Sequence, residues 1–125
     1  MECRVDPQAE LPPWRQLVDG VLDALARGVA RPGDRLPSVR AMAAQALVNP
    51  NTVLKAYREL ERRRVVEGRN GSGVYVTKWG PRRARAARAS RTLASFRAAA
   101  QAALRAGHDA NLLREVLKET GERVS

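Results

Sequence analysis

Cysteine occurs once in this chain, at Cys3, so no disulfide can close within it and no cysteine-based zinc site can be built. Histidine also occurs once. His108 lies in Gly107-His108-Asp109, a predicted turn between helices, and reads as an exposed turn residue. One residue of each kind leaves few routes to a histidine-dependent catalytic triad or a multi-histidine metal centre. No catalysis, cofactor or metal is therefore expected. Long apolar runs are missing too, and none approaches the ~20 residues of a membrane span. The N-terminus lacks the apolar core of a signal peptide. The expectation is a cytoplasmic protein without membrane attachment.

Acidic residues are outnumbered, with 13 against 23 Lys and Arg, for a net charge of +10. The excess is uneven. Residues 1–30 carry three Arg and five acids, a net −2, whereas residues 31–80 and 81–125 each carry ten basic residues against four acids, a net +6. A neutral lead-in followed by a basic middle suits a polyanionic partner that touches particular parts of the molecule. Twenty of the basic residues are Arg and three are Lys, so a general arginine bias contributes to the charge. Motifs must therefore decide.

Residues 1–11 read as irregular and mobile. Pro12-Pro13 opens a helix in which Trp14, Leu17, Val18, Val21, Leu22 and Leu25 recur at helical spacing, a wide apolar stripe. Arg31-Pro32-Gly33-Asp34 is a turn by composition, and Arg35-Leu36 reads as a very short strand. A second helix spans about Ser38 to Ala46, with Val39, Met42, Ala43 and Ala46 on its inner face. Ser38 is a strong N-cap, although Ala41 stands where a capping box would place Glu or Gln.

A third helix runs from Asn49 to about Arg64. Asn49 is a second N-cap, and Pro50 takes the first helical position, where its missing N–H costs nothing. Val53, Ala56, Tyr57 and Leu60 share its inner face. Asn51, Lys55, Arg58 and Arg62 cluster opposite, and Thr52 lies beside them at the start. Two short helices joined by a tight turn, the second opening with small polar residues in a basic chain, suit the reading of base edges in a DNA major groove. A solvated outer face remains the plain reading of Arg58 and Arg62.

Val65-Val66-Glu67 and Val74-Tyr75-Val76 flank a glycine-rich run from Gly68 to Gly73. Asn70-Gly71 inside it is a strong hairpin turn pair. A phosphate cradle for a nucleotide would need a strand leading into a helix. Here a strand leads into a strand, so the run reads as a basic hairpin, a wing carrying Arg69, Asn70 and Gly71 at its tip.

Gly80-Pro81 is expected to break the structure. A long Ala/Arg helix follows, from about Arg82 to Ala106, with Leu93, Phe96 and Leu104 as its sparse large apolar residues. Asp109 is the expected N-cap of a last helix that carries Leu112, Leu113, Val116 and Leu117. Two helices with so little apolar surface cannot enclose a core of their own. They must pack on the first domain, on a second subunit, or on both. The fold class is thus mainly α with a small β-hairpin: a winged helix-turn-helix over residues 1–78, then a two-helix dimerisation region over residues 79–125.

From Trp14 through Val76 the chain resembles the GntR family of bacterial transcription regulators. The match includes Pro32-Gly33-Asp34-Arg35-Leu36-Pro37-Ser38-Val39-Arg40, Asn49-Pro50-Asn51-Thr52-Val53, Ala56-Tyr57, Glu59-Leu60-Glu61 and Gly71-Ser72-Gly73-Val74-Tyr75-Val76. The short two-helix tail is similar to the YtrA-like branch of that family. The resemblance implies a winged helix-turn-helix homodimer that binds an inverted-repeat DNA operator, usually as a repressor. It implies a base- or phosphate-contacting role for Arg40, contacts from Asn49, Asn51, Thr52 and Lys55, and a wing tip at Asn70 and Gly71. The chain departs from the family pattern twice. Arg64 stands where a helix-ending Gly is common, and Ala41 where an acidic residue is usual.

A sequence-specific DNA-binding regulator is the leading expectation. A non-specific architectural nucleic-acid-binding protein is the alternative, because the charge alone would serve it. Fewer than fifty residues of the sequence follow the wing, too few for the aminotransferase-like domain found in some relatives. The homodimer is expected to use Leu93, Phe96, Leu104, Leu112, Leu113, Val116 and Leu117. The space between such short helices is small, so any effector is expected to be small or absent.

Overall fold

The computed structural model describes residues 1–124. Its elements run α1 (Pro13–Ala26), α2 (Val39–Ala46), α3 (Pro50–Arg62), β1 (Val66–Arg69), β2 (Gly73–Val76), α4 (Gly80–Arg105) and α5 (Ala110–Val124). The mainly helical fold with one small hairpin is as expected. The chain forms two compact units, divided between Arg88 and Ala89, inside α4.

The first unit is built around α3, which packs against α1, α2 and β1. The apolar stripe of α1 supplies Leu17, Val18, Val21, Leu22 and Leu25 to the core, α2 supplies Met42, Ala43 and Ala46, and α3 supplies Val53, Ala56, Tyr57 and Leu60. Burying a side chain such as Leu17, Leu25 or Leu60 contributes roughly 1.5–3 kcal/mol, so this shared core is what holds three short helices in place. Val65, Val66 and Val76 close it from the hairpin side.

The strands pair antiparallel, from Val66 opposite Val76 to Arg69 opposite Gly73. They therefore extend further into the glycine-rich run than the residue pattern indicates. The short strand expected at Arg35-Leu36 is present as a single bridge between Arg35 and Tyr75. Hydrogen bonds from the N–H of Gly33 to Val76 O, of Leu36 to Val74 O and of Val76 to Asp34 O, each 2.8 Å, lay this segment along β2.

Residues 1–11 are not the free arm the composition suggests. Cys3 is buried against α1, where its Sγ would come within 3.1 Å of a Cβ placed on Gly20. Gln16 clasps the segment: its Oε1 accepts from the Asp6 N–H, and its Nε2 donates to Asp6 O and Leu11 O, at 2.8–2.9 Å. Burial pushes the Cys3 thiol upward, with the N-terminal ammonium opposing the shift weakly.

Two further corrections concern helix ends. α3 stops at Arg62, short of Arg64, because Arg64 turns left-handed at φ 61°. Its carbonyl accepts from the buried Thr77 hydroxyl at 2.7 Å, and the Thr77 N–H donates to Val65 O at 3.1 Å. Gly80-Pro81 does not break the chain but opens α4, since a proline near a helix start gives up only an N–H that would be unpaired anyway. A Cβ on Gly80 would lie 2.8 Å from Val65 O, so only glycine lets the helix start this close to the strand.

The second unit comprises residues 89–124. Asp109 caps α5 as expected, its Oδ1 accepting from the Asn111 N–H at 2.8 Å. No residue of α5 is buried, and the buried residues of α4 are Gly80 and Ala84, both in the first unit.

Candidate nucleic-acid interface

Ser38 opens α2 by accepting the Ala41 N–H at 3.1 Å, and Asn49 opens α3 by accepting the Asn51 N–H at 2.8 Å. Between them Leu47 adopts a left-handed conformation at φ 56° and ends α2. The Tyr57 hydroxyl then donates to Pro37 O at 2.7 Å, tying the middle of α3 to the residue before the Ser38 cap. Burial holds the Tyr57 phenol well above its usual range, with Cys3 adding to the shift, so this donor keeps its proton. Two caps, one left-handed turn and one buried tyrosine together fix the relation of α2 to α3.

On that frame Arg40 is exposed on α2, and Asn51 is exposed at the start of α3. Thr52 beside it is half-buried. Asn49 is exposed, yet its amide oxygen is taken by the cap, which leaves the NH₂ as its outward donor. Lys55 is not a free ammonium: its Nζ rests 4.6 Å from the centre of the Trp14 ring on α1. Arg58 is exposed on the same side of α3. Arg62 closes on Glu59 at 2.6 Å, and Arg63 reaches the same carboxylate at 3.2 Å. Hydrogen bonds from Arg62 and then Arg63 lower the Glu59 carboxyl to about 2, against its partial burial. The outer face of α3 is thus open near its N-terminus and internally paired near its C-terminus.

The hairpin projects beside this face, anchored by the Gly68 N–H donating to Glu61 Oε1 on α3 at 3.0 Å. Its tip is a three-residue loop, Asn70-Gly71-Ser72, closed by the Ser72 N–H donating to Arg69 O at 3.0 Å. Gly71 has φ 68°, the positive value the turn pair suggests. Asn70 keeps a negative φ, so the loop is one residue longer than a two-residue turn in which both central residues are left-handed. The Arg69 guanidinium lies 4.2 Å from the Tyr75 ring centre and 3.5 Å from Glu67, and the Tyr75 hydroxyl bonds to the Ser72 hydroxyl. The wing is therefore a braced hairpin with a basic flank.

Sequence reasoning passed over Arg35. Its guanidinium packs so closely on Gly73 that a Cβ there would sit 2.6 Å from Nε. It brings a second exposed arginine to the wing. The available signal was Gly73 itself, since a glycine inside a strand marks close approach by another group.

The tail residues expected at a dimer interface are placed differently from one another. Phe96 on α4 and Leu113, Val116 and Leu117 on α5 line one apolar groove of about 350 Å³, whereas Leu93, Leu104 and Leu112 lie outside it. All seven are accessible, with Leu113 alone half-buried. Among the described residues no cluster of His, Cys, Asp and Glu could hold a metal ion, and no helix is long and apolar enough to cross a membrane.

A family model described as bacterial regulatory proteins of the gntR family matches residues 13–76. The HTH-type transcriptional repressor YtrA of Bacillus subtilis is 40% identical over 74 residues, 59% of this chain and 57% of its own length. The HTH-type transcriptional regulator Rv1152 of Mycobacterium tuberculosis is 44% identical over 78 residues, 62% of this chain and 64% of its own. The matched part thus spans less than two thirds of both relatives. A crystal structure of a transcriptional regulator from Oenococcus oeni superposes with a TM-score of 0.79 at 29% identity, covering 93% of this chain and 96% of the other.

Proposed function

The chain belongs to the GntR family of bacterial regulatory proteins, and we propose that it acts in the cytoplasm as a transcriptional repressor that reads an inverted-repeat DNA operator as a homodimer. One observation carries this reading: Asn51 and Arg40 are exposed on two adjacent helices whose mutual position is fixed by the Ser38 and Asn49 caps and the Tyr57 hydrogen bond. A major groove admits one helix, and an Asn amide or an Arg fork there discriminates between bases. In this reading Asn51 and Arg40 read bases, Thr52 and the free NH₂ of Asn49 position the helix start, and Arg69, Asn70, Gly71 and Arg35 meet the backbone or a minor groove. Lys55 supplies charge to a phosphate with its Nζ resting beside the Trp14 ring. An architectural protein would need the charge but not this ordered polar helix start.

Burial supports the homodimer. Phe96, Val116 and Leu117 are each about half exposed, at 51%, 50% and 53%, and pairing two copies of the tail across a two-fold axis removes that apolar surface from water. The same axis would set two recognition helices about one DNA turn apart, ~34 Å. The test is selection of binding sequences from random duplex DNA, followed by comparison of the enriched duplex with a scrambled one at fixed salt. A regulator binds the enriched duplex about 10³-fold more tightly or better. Equal affinity for both would overturn the reading in favour of the architectural one.

A further inference from the structure

The basic residues at the far end of α3 do not belong to the reading face. Arg62 lies eleven residues beyond Asn51 along the helix, a rise of roughly 16 Å at 1.5 Å per residue. Arg62, Arg63, Arg64 and Arg83 line a single cleft of about 520 Å³ floored by Leu22 and Val65, and none of its lining residues is acidic. Glu59 partners Arg62 and Arg63 beside it, one carboxylate shared between two guanidiniums. The four arginines therefore keep a net charge of about +3 around a concave, partly apolar space, in the size range of small-molecule sites.

Two features show that this charge is held against local preference. Arg64 occupies a left-handed conformation, φ 61°, which costs a side-chain-bearing residue free energy that glycine would not lose. Thr77 locks that conformation from inside through the Arg64 carbonyl. Arg83 stands in the first turn of α4, which carries no acidic residue, and the positive end of a helix disfavours a cation there. A strained backbone residue and an opposed charge converge on one cleft, and strain of this kind points to use.

We infer that the cleft between the end of α3 and the start of α4 binds a small oligophosphate. Guanidiniums recognise phosphate oxygens in pairs through planar forks of donors. Four of them on one concave wall suit several adjacent phosphate groups. The ligand would act on the first unit at the end of α3 opposite Asn51.

The experiment titrates the full chain with inorganic triphosphate in a calorimeter at ~0.15 M salt, where diffuse charge attraction is screened beyond about 8 Å. The parent is expected to show saturable binding with Kd below about 100 µM. Arg64→Gly combined with Arg83→Gln should weaken it at least tenfold while changing affinity for a random 25-base-pair duplex by less than about threefold. Arg64→Gly alone should keep or raise the melting temperature, because glycine relieves the left-handed strain, so lost binding would not be lost folding. Three results would overturn the assignment: no saturation by millimolar triphosphate, triphosphate affinity unchanged in the double variant, or an equal loss of triphosphate and duplex affinity. The last would make the cleft part of the DNA backbone contact.

Discussion

The two units differ most in what they do with apolar side chains. In the first, Leu17, Leu25, Met42, Leu60 and Val65 are all essentially inaccessible, and polar groups such as Arg40 and Asn51 are left outside. In the second, Leu93, Phe96, Leu104, Leu112, Val116 and Leu117 each remain about half exposed. α4 and α5 are helical by local preference, with Ala-rich turns and the Asp109 cap, yet within residues 89–124 they enclose nothing. Helix formation and core formation are thus separate achievements. A region that has only the first depends on a further surface for its stability.

Mutations should separate the two regions. Leu60→Ala removes a fully buried side chain in the last turn of α3 and should cost about 2–5 kcal/mol, read as a lower denaturant midpoint. Leu117→Ala, on a half-exposed position, should leave the melting of the first unit alone and weaken self-association. The paired charges Leu113→Asp and Leu117→Asp should yield a monomer in sedimentation that keeps the helical signal of its first unit. Affinity for a full inverted repeat should then fall by about 10² or more, because the half-sites no longer act together.

Smaller effects sharpen the first unit. Arg40→Ala should cost about 1–3 kcal/mol of binding to the enriched duplex, and little on random DNA, if it makes a bidentate base contact. Gly71→Val places a β-branched side chain at φ 68°, a strain of roughly 1–2 kcal/mol. It should reduce DNA affinity while circular dichroism of the helices stays at the parent level. The smallest effect concerns Glu59. Its carboxyl is lowered to about 2 from an ordinary 4.5, so it contributes stability above pH 4.5 that is lost as pH falls toward 2. Glu59→Gln should abolish that part of the acid-side decline and cost below about 1 kcal/mol at neutral pH, because its Arg62 partner is exposed and solvent screens the pair. Denaturant titrations at pH 3 and pH 7 measure it.

Much of this molecule was legible because its signals are local. Ser38, Asn49 and Asp109 cap the helices their side chains predict, Gly71 takes the positive φ its turn requires, and the apolar spacing of α1 and α3 marks the buried faces. What escaped depends on contacts distant in sequence. Leu47 and Arg64 adopt left-handed backbones that their side chains do not favour, the second held by Thr77 thirteen residues on. Gln16 gathers a segment with no periodicity of its own. Lys55 reads as a free cation until α1 folds Trp14 beneath it. In the candidate interface, the helix start and wing tip could be found from caps and turn chemistry. Arg35 could not, because its approach to Gly73 is made by the fold.

The most direct test is a hydroxyl-radical footprint of the full chain on a duplex enriched by selection. A closed first unit that reads DNA and an open second unit that pairs predict two protected half-sites related by a dyad, their centres about one turn or ~34 Å apart. The Leu113→Asp, Leu117→Asp variant should lose this protection at the same concentration. A single protected half-site in the parent, or uniform protection with no preferred position, would contradict the account.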